Sequence, residues 1–336
     1  MMIAITADLN SNPFENVKVA VLGDVMMDRF IYGDVERISP EAPIPVVRVT
    51  KRNSHLGGAG NVAANLTALG AKPIMIGRIG DDELGREFET MANTMNMETK
   101  YLLKTEVPTI SKTRVIARSQ QVVRFDEEVT DSLSSHDRTR VLTVLEQARK
   151  ETSTLIISDY SKGMVDDKML EDVKKVWRGG DIFIDPKPKG EARNIAYIGT
   201  TAMTPNAQEA SELLSCPKPK TDEEAEKMAA ELVEKFNLNY VLLTRSGDGM
   251  TLYVEGKAHH LKAKVQEVID VSGAGDTVIS VFAAAVAAGM SVEEAAHFAN
   301  VSGGVVVAKL GTATASWPEM QKAMRKYLEF HSNQAA

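Results

Sequence analysis

From residue 133 onward, short apolar runs alternate with longer stretches of helical periodicity, and this rhythm limits the fold more than any other feature. Leu133–Lys150 reads as helix, Leu155–Ile157 as strand, Met164–Trp177 as helix and Ile182–Ile184 as strand. Ala202-Met203 is a short strand followed by a helix from Asn206, then a helix over Thr221–Phe236 and a strand over Tyr240–Leu243. Upstream, Val17–Leu22 and Pro73–Ile79 are further strands. Short, valine- and isoleucine-rich strands joined through helices pair in parallel and are covered on both faces. The expected class is α/β, a mostly parallel central sheet with helices on both sides. Ligands of such sheets sit off the carboxyl ends of the strands. Those ends carry Gly23-Asp24, Ser158-Asp159-Tyr160, Asp185-Pro186-Lys187, Thr204-Pro205-Asn206 and Thr244-Arg245-Ser246-Gly247, which can line one crevice.

Two segments break the rhythm. Phe30–Thr50 holds Pro40, Pro43 and Pro45 and then the run Val46-Val47-Arg48-Val49, which excludes helix and favours an edge strand. Thr109–Asp126 is similar. Together they predict a small β sheet standing off the main domain, able to cover a site or pair with a second subunit. Its Lys112, Arg114, Arg118 and Arg124 either form a solvated face or meet a substrate phosphate. Thr251–Val254 and His259–Leu261 read as a hairpin excursion. Residues 1–16 read as a loose arm, and Ser291 to Glu294 as a capping box opening a helix to about Lys309.

Composition narrows the class. The 336 residues carry a net charge of −7, which disfavours a general nucleic-acid binder. Cys216 is the only cysteine, so no internal disulfide is possible and a reducing, cytoplasmic setting is expected. The first residues lack a basic region followed by a long apolar core, so no leader is expected, and no apolar run is long enough to span a membrane. There is no Walker-type Gly-Lys-Ser/Thr, no dinucleotide fingerprint after the first strand, and no His-Glu-x-x-His or cysteine cluster to build a zinc site.

Chemistry concentrates at Asp270–Ser280. Gly273, Ala274 and Gly275 precede Asp276, and an apolar run follows to Ala288. This predicts a loop feeding a buried helix, where free N–H groups and the helix dipole favour an anion. A carboxylate there repels an anion unless it has a task such as taking a proton. The arrangement suits a hydroxyl attacking a phosphoryl group; an ordinary helix start with an acidic residue is the alternative. Gly57-Gly58-Ala59-Gly60-Asn61 opens a second helix, ended at Gly70, and allows close ligand approach. Asn61 either caps that helix or donates to a sugar hydroxyl. Asp24 and Asp28 either grip hydroxyls or cap a turn.

Gly57 to Ala63 with Gly70 and Gly80, and Asp270 to Asp276, resemble the two signatures of the ribokinase-like (PfkB) carbohydrate kinases, more than 200 residues apart and in the right order. The second departs at Val281, where a small residue is usual. The resemblance covers roughly residues 17–325, and implies a ribokinase-like domain there with lid and dimer-clasp segments at about 30–50 and 109–126, an arm at 1–16 and a tail at 326–336. Gly23 to Arg29, Ile38 to Val46, Ser158 to Gly163 and Lys309 to Thr312 are similar to the branch of that family acting on D-glycero-β-D-manno-heptose 7-phosphate. This implies ATP-dependent phosphorylation at the sugar C1 hydroxyl, for ADP-heptose and lipopolysaccharide core synthesis, by a stand-alone kinase equivalent to the N-terminal half of bifunctional heptose kinase–adenylyltransferases. A kinase for another sugar or sugar phosphate, and a non-catalytic nucleotide- or sugar-binding regulator, are the competing expectations.

Roles follow from the resemblance at matching positions. It implies Asp276 as catalytic base and Gly273, Ala274 and Gly275 as anion hole. Asn206 and Glu209 are implied for Mg²⁺ through water and for nucleotide phosphates. Thr244, Arg245, Ser246, Gly247 and Gly249 are implied near the triphosphate, and Asn300 near the adenine. Asp24, Asp28, Gly57, Gly58 and Asn61 are implied as sugar contacts, Asp270 and Ser272 as a potassium-type cation site, and the lid as the seat of a homodimer. For the second substrate phosphate, Lys187 is the first candidate from the residues, with Arg78, Arg114 and Arg118 behind it.

Overall fold

A parallel sheet needs crossovers, and the helical segments supply them. The structure, a computed structural model, describes residues 5–118, 120–263 and 268–335. The chain opens with β1 (Lys18–Gly23), β2 (Val25–Ile38), β3 (Pro45–Gly58), α1 (Ala59–Leu69), β4 (Lys72–Gly80), α2 (Glu83–Thr94), β5 (Leu102–Thr105), β6 (Ile110–Ala117) and β7 (Gln120–Glu127). It continues through α3 (Ser135–Glu151), β8 (Thr154–Ser158), α4 (Asp167–Val176), β9 (Asp181–Asp185), α5 (Glu191–Ala196), β10 (Ala202–Met203), α6 (Ala207–Leu214) and α7 (Asp222–Phe236). It closes with β11 (Tyr240–Thr244), β12 (Met250–Val254), β13 (Lys257–Leu261), α8 (Ala274–Ala287), α9 (Val292–Val306) and α10 (Trp317–Ala335).

Nine strands form one sheet in the order β13-β12-β11-β10-β9-β8-β1-β4-β5. Pairing is parallel from β5 across to β11. β12 and β13 add antiparallel at the edge, so the expected hairpin excursion extends the main sheet. The chain runs outward from β1 through β4 and β5, then resumes on the other side at β8. The order therefore reverses between β1 and β8, where a ligand crevice opens in such sheets. Apolar side chains pack on both faces. Phe183, Tyr240 and Phe282 meet under α8 with ring centroids 5.8–6.2 Å apart, and Trp177, Tyr197 and Phe236 fill the other face. Val281 is fully buried within α8, so its departure from the family pattern concerns packing. No helix among the described residues is long and apolar enough to cross a membrane.

The second sheet has the order β3-β2-β6-β7 and stands apart as expected. β2 begins earlier, at Val25, and β3 runs later, to Gly58, than the expected segment at 30–50. β2 leaves the main sheet directly after Asp24 and pairs Val25 with Gly58, which sets Gly58 against Asp24. Gly58 has φ +56°, and a Cβ there would meet the Asp24 carbonyl oxygen at 2.3 Å. Paired residues Asp28, His55 and Lys112 share one face of this sheet, and Phe30 and Arg114 extend it.

Three expectations are corrected. The described part of the arm is docked: Phe14 is fully buried, with edge contacts to Phe298 and Trp317 at 5.9 and 5.7 Å. The capping box at α9 is half formed. Ser291 accepts from the Glu294 N–H, but the Glu294 carboxylate accepts from Thr6 N, Thr6 Oγ1 and Ala7 N at 2.8, 2.9 and 2.7 Å. Three donors from the arm outcompete one local N–H. The expected tail continues α10, where Tyr327 is buried and hydrogen-bonds His297 Nδ1 at 2.8 Å. Residues 1–4 of the arm, 119 of the lid segment and 336 lie outside the described residues.

Candidate active site

Asp276 lies in the first turn of α8, 3% exposed. The helix starts there because Gly273 takes φ +77°, and a Cβ at that position would meet Asn61 Nδ2 at 2.7 Å. Asn61 Nδ2 donates to Asp276 Oδ2 at 2.7 Å. Its own orientation is set by Asn65, whose Nδ2 donates to Asn61 O and Oδ1, while Asn65 Oδ1 accepts from Thr277 Oγ1. Tyr160 Oη donates to Asp276 Oδ1 at 2.8 Å. Burial pushes the Asp276 carboxyl up to about 6, against the pull of the Asn61 and Tyr160 hydrogen bonds. A base titrating near neutrality is charged at working pH and still able to accept a proton.

Of the expected anion hole, Ala274 N–H donates to the Val271 carbonyl. The N–H groups of Gly275 and Asp276 have no acceptor among the described residues. They point the helix N-terminus at a cleft of about 160 Å³ lined by Tyr160, Asp185, Lys187, Asn206, Glu209, Thr244, Gly273, Gly275 and Asp276. Asn206 and Glu209 form a full capping box on α6. Burial, then the neighbouring Glu209 and Asp276 carboxylates, hold Asp185 well above the ordinary carboxylate range. Glu209 is also raised, chiefly by burial. A second hollow of about 280 Å³ is lined by Lys220, Asp222, Gly247, Asp248 and Lys262.

Several candidates are committed elsewhere. Asp24, 1% exposed, accepts from the backbone N–H groups of Tyr160, Lys162 and Met164 at 2.9–3.0 Å, so it fastens a loop. Asp28 pairs with Arg114 at 2.6 Å. Arg78 donates to the carbonyls of Val129, Asp131 and Lys162. Arg118 sits in an exposed left-handed turn at the far tip of the β6–β7 hairpin. Lys187 Nζ lies 3.4 Å from Glu209 Oε1, among the residues expected to serve the nucleotide. Arg245 pairs with Asp222 and braces its own turn, with Ser246 and Gly249 at positive φ. Asn300 Nδ2 holds the Lys262 carbonyl. Asp270 accepts from the Ser272 and Gly311 N–H groups.

Sequence reasoning missed two residues that face Asp276. Tyr160 was signalled by its strand-end position and by the Ser158 to Gly163 stretch, neither of which gives it a role. Lys112 was one of four lid cations, yet it is in no ion pair among the described residues and lies with Nζ 5.4 Å from the Tyr160 ring centroid. Burial draws its ammonium down despite nearby Asp28.

A buried carboxylate beside free amides, at the switch point of a parallel sheet, suits transfer of an anionic group to a hydroxyl. Solved structures share this fold. Phosphofructokinase-2 from Escherichia coli in complex with potassium aligns with a TM-score of 0.78 at 18% identity over 94% of this chain and 99% of that one. Arabidopsis thaliana ribokinase complexed with ribose and ATP gives 0.71 at 21% identity, again over 94% and 99%. In sequence, the chain is 41% identical over 312 residues to the bifunctional protein HldE of Vibrio parahaemolyticus and 42% identical over 315 residues to that of Pectobacterium atrosepticum. Each match covers 93% of this chain and 64% of the relative, so the chain spans a little under two thirds of their length. Residues 16–320 match the pfkB family carbohydrate kinase profile, and the chain belongs to that family.

Proposed function

We propose that the chain transfers the γ-phosphoryl group of ATP to the C1 hydroxyl of D-glycero-β-D-manno-heptose 7-phosphate, giving heptose 1,7-bisphosphate and ADP, a step toward ADP-heptose and the lipopolysaccharide core. The observation that carries the reaction type is Asp276: a buried carboxylate poised near neutrality, one residue from an amide that faces the cleft. Asp276 takes the hydroxyl proton while the Gly275 and Asp276 amides hold charge on the migrating group. The heptose reading is supported by the matching stretches around Asp24, Pro40, Tyr160 and Gly311 and by the HldE relatives.

A divalent cation bound with the triphosphate neutralises charge at the transferring group. Asp185, Asn206 and Glu209 face the cleft, and no cluster of three or more ligating side chains able to hold a metal ion is found among the described residues. This donor set fits Mg²⁺ held mainly through phosphates and water. Among the described residues Asp270 accepts the Ser272 N–H on Oδ1 and the Gly311 N–H on Oδ2, and its remaining lone pairs suit a monovalent cation such as potassium. Lys112, in no ion pair among the described residues and on the lid face nearest Asp276, is the cation best placed for the second phosphate of the sugar. The opposite lid face exposes Val123 and Phe125, an apolar surface suited to a second copy of the chain.

The test is ADP release with heptose 7-phosphate compared against the unphosphorylated heptose and a panel of hexose and pentose phosphates. The proposal predicts the highest kcat/KM for heptose 7-phosphate. A preference of tenfold or more (about 1.4 kcal/mol) for another sugar would replace the substrate while leaving the kinase.

A further inference from the structure

Three parts of the site meet on Tyr160. Its N–H donates to Asp24 Oδ2 at 2.9 Å, its ring lies beneath Lys112 Nζ, and its Oη donates to Asp276 Oδ1 at 2.8 Å. Asp24 also binds the N–H groups of Lys162 and Met164. The loop carrying Tyr160 is thus fastened at three points to the end of β1, and the phenol oxygen has one place to be. Asn61 occupies the other oxygen of the same carboxylate. With a donor on each oxygen Asp276 cannot turn, yet each oxygen keeps a lone pair for the incoming proton.

We propose that Tyr160, anchored through Asp24, is a positioning residue for phosphoryl transfer: its phenol fixes the orientation and the charge of Asp276. The inference rests on Asp276 being the base. A hydrogen bond donated to a carboxylate favours the charged form, opposing the effect of burial. Tyr160 itself stays protonated, because burial and then the nearby Asp276 and Asp185 carboxylates raise its phenol well above its usual range. The proton therefore moves from the sugar hydroxyl to Asp276 while the phenol keeps its own. The other groups facing the base are Asn61 from α1, Asp28 and Lys112 from the lid, and Asp185 at the end of β9. No hydrogen bond joins Tyr160 to Asp185 among the described residues, so a change at Tyr160 acts on Asp276 directly and reaches Asp185 only through charge.

The experiment is the pH profile of kcat/KM for the sugar that the full chain phosphorylates most rapidly. Two changes at one position should act in opposite directions. Tyr160→Phe removes the donor and should move the acid limb up by about half a unit to one unit. Site-specific replacement of Tyr160 by 3-fluorotyrosine makes the phenol a stronger donor and should move the limb down, and it carries the test if the Phe variant does not fold. A limb that stays at the wild-type pH in the fluorinated enzyme overturns the proposal, whatever happens to the maximal rate. Loss of Asp276 as the base would appear separately, as an Asp276→Asn enzyme with ordinary turnover.

Discussion

Asn61 donates from Nδ2 to Asp276 Oδ2 at 2.7 Å across 215 residues of chain, joining the two glycine-rich helix starts of the fold. The bond is charge-assisted and buried, worth about 1.5–3 kcal/mol. Asn61→Ala should raise the pKa of the base, moving the acid limb of kcat/KM from about pH 6 toward about pH 7. Turnover at pH 8, where the base is charged in both enzymes, should recover most of the loss. A uniform deficit at all pH values would mean that Asn61 acts on the substrate instead.

Removing the base should separate activity from stability. Asp276→Asn should cost at least about 10²–10³ in turnover. The folded pKa of Asp276 is raised above its unfolded value, so between the two the native state binds more protons and wild-type stability falls as pH rises. The variant should therefore be as stable as wild type or more so at pH 7.5, with the difference shrinking as pH falls below about 6 toward 4. An asparagine can still accept from Asn61 and donate to Tyr160 Oη. Thermal melts of both proteins over this range check the sign.

Lys112→Met should raise KM for the phosphorylated sugar at least tenfold, about 1.4 kcal/mol, and leave KM for ATP within about twofold. The unphosphorylated sugar should not distinguish the two enzymes. Steady-state kinetics with both sugars decides it. An equal loss for the two would show that Lys112 supports the lid and not the phosphate.

Glu294 is 2% exposed and holds the N-terminal arm through three hydrogen bonds. Glu294→Ala leaves those donors without an acceptor and should cost about 2–4 kcal/mol in denaturant unfolding. Turnover at 25 °C should be unchanged, because Glu294 is not among the residues lining the cleft. Unchanged unfolding would show that the arm contributes little to the fold.

The parallel sheet was legible because its signal is local: apolar runs of fixed length and helices with visible starts. The helix start that carries Asp276 was legible for the same reason, since Gly273 to Asp276 dictates both the turn and the helix end. What escaped depends on side chains reaching distant partners. Lys187 looks like a free cation until Glu209 comes beside it, and Arg78 until three carbonyls surround it. Glu294 satisfies a local capping pattern, yet a segment 288 residues away offers it more donors. Tyr160 carries no local mark of its task, which exists only because the loop after β8 lies beside the start of α8.

The most direct measurement is the NMR analysis of the product formed from ATP and heptose 7-phosphate. Phosphorus and proton spectra should show a second phosphate coupled to the anomeric proton, formed together with one equivalent of ADP and absent with Asp276→Asn. A phosphate at any other carbon, or ADP released without a phosphorylated sugar, contradicts the account.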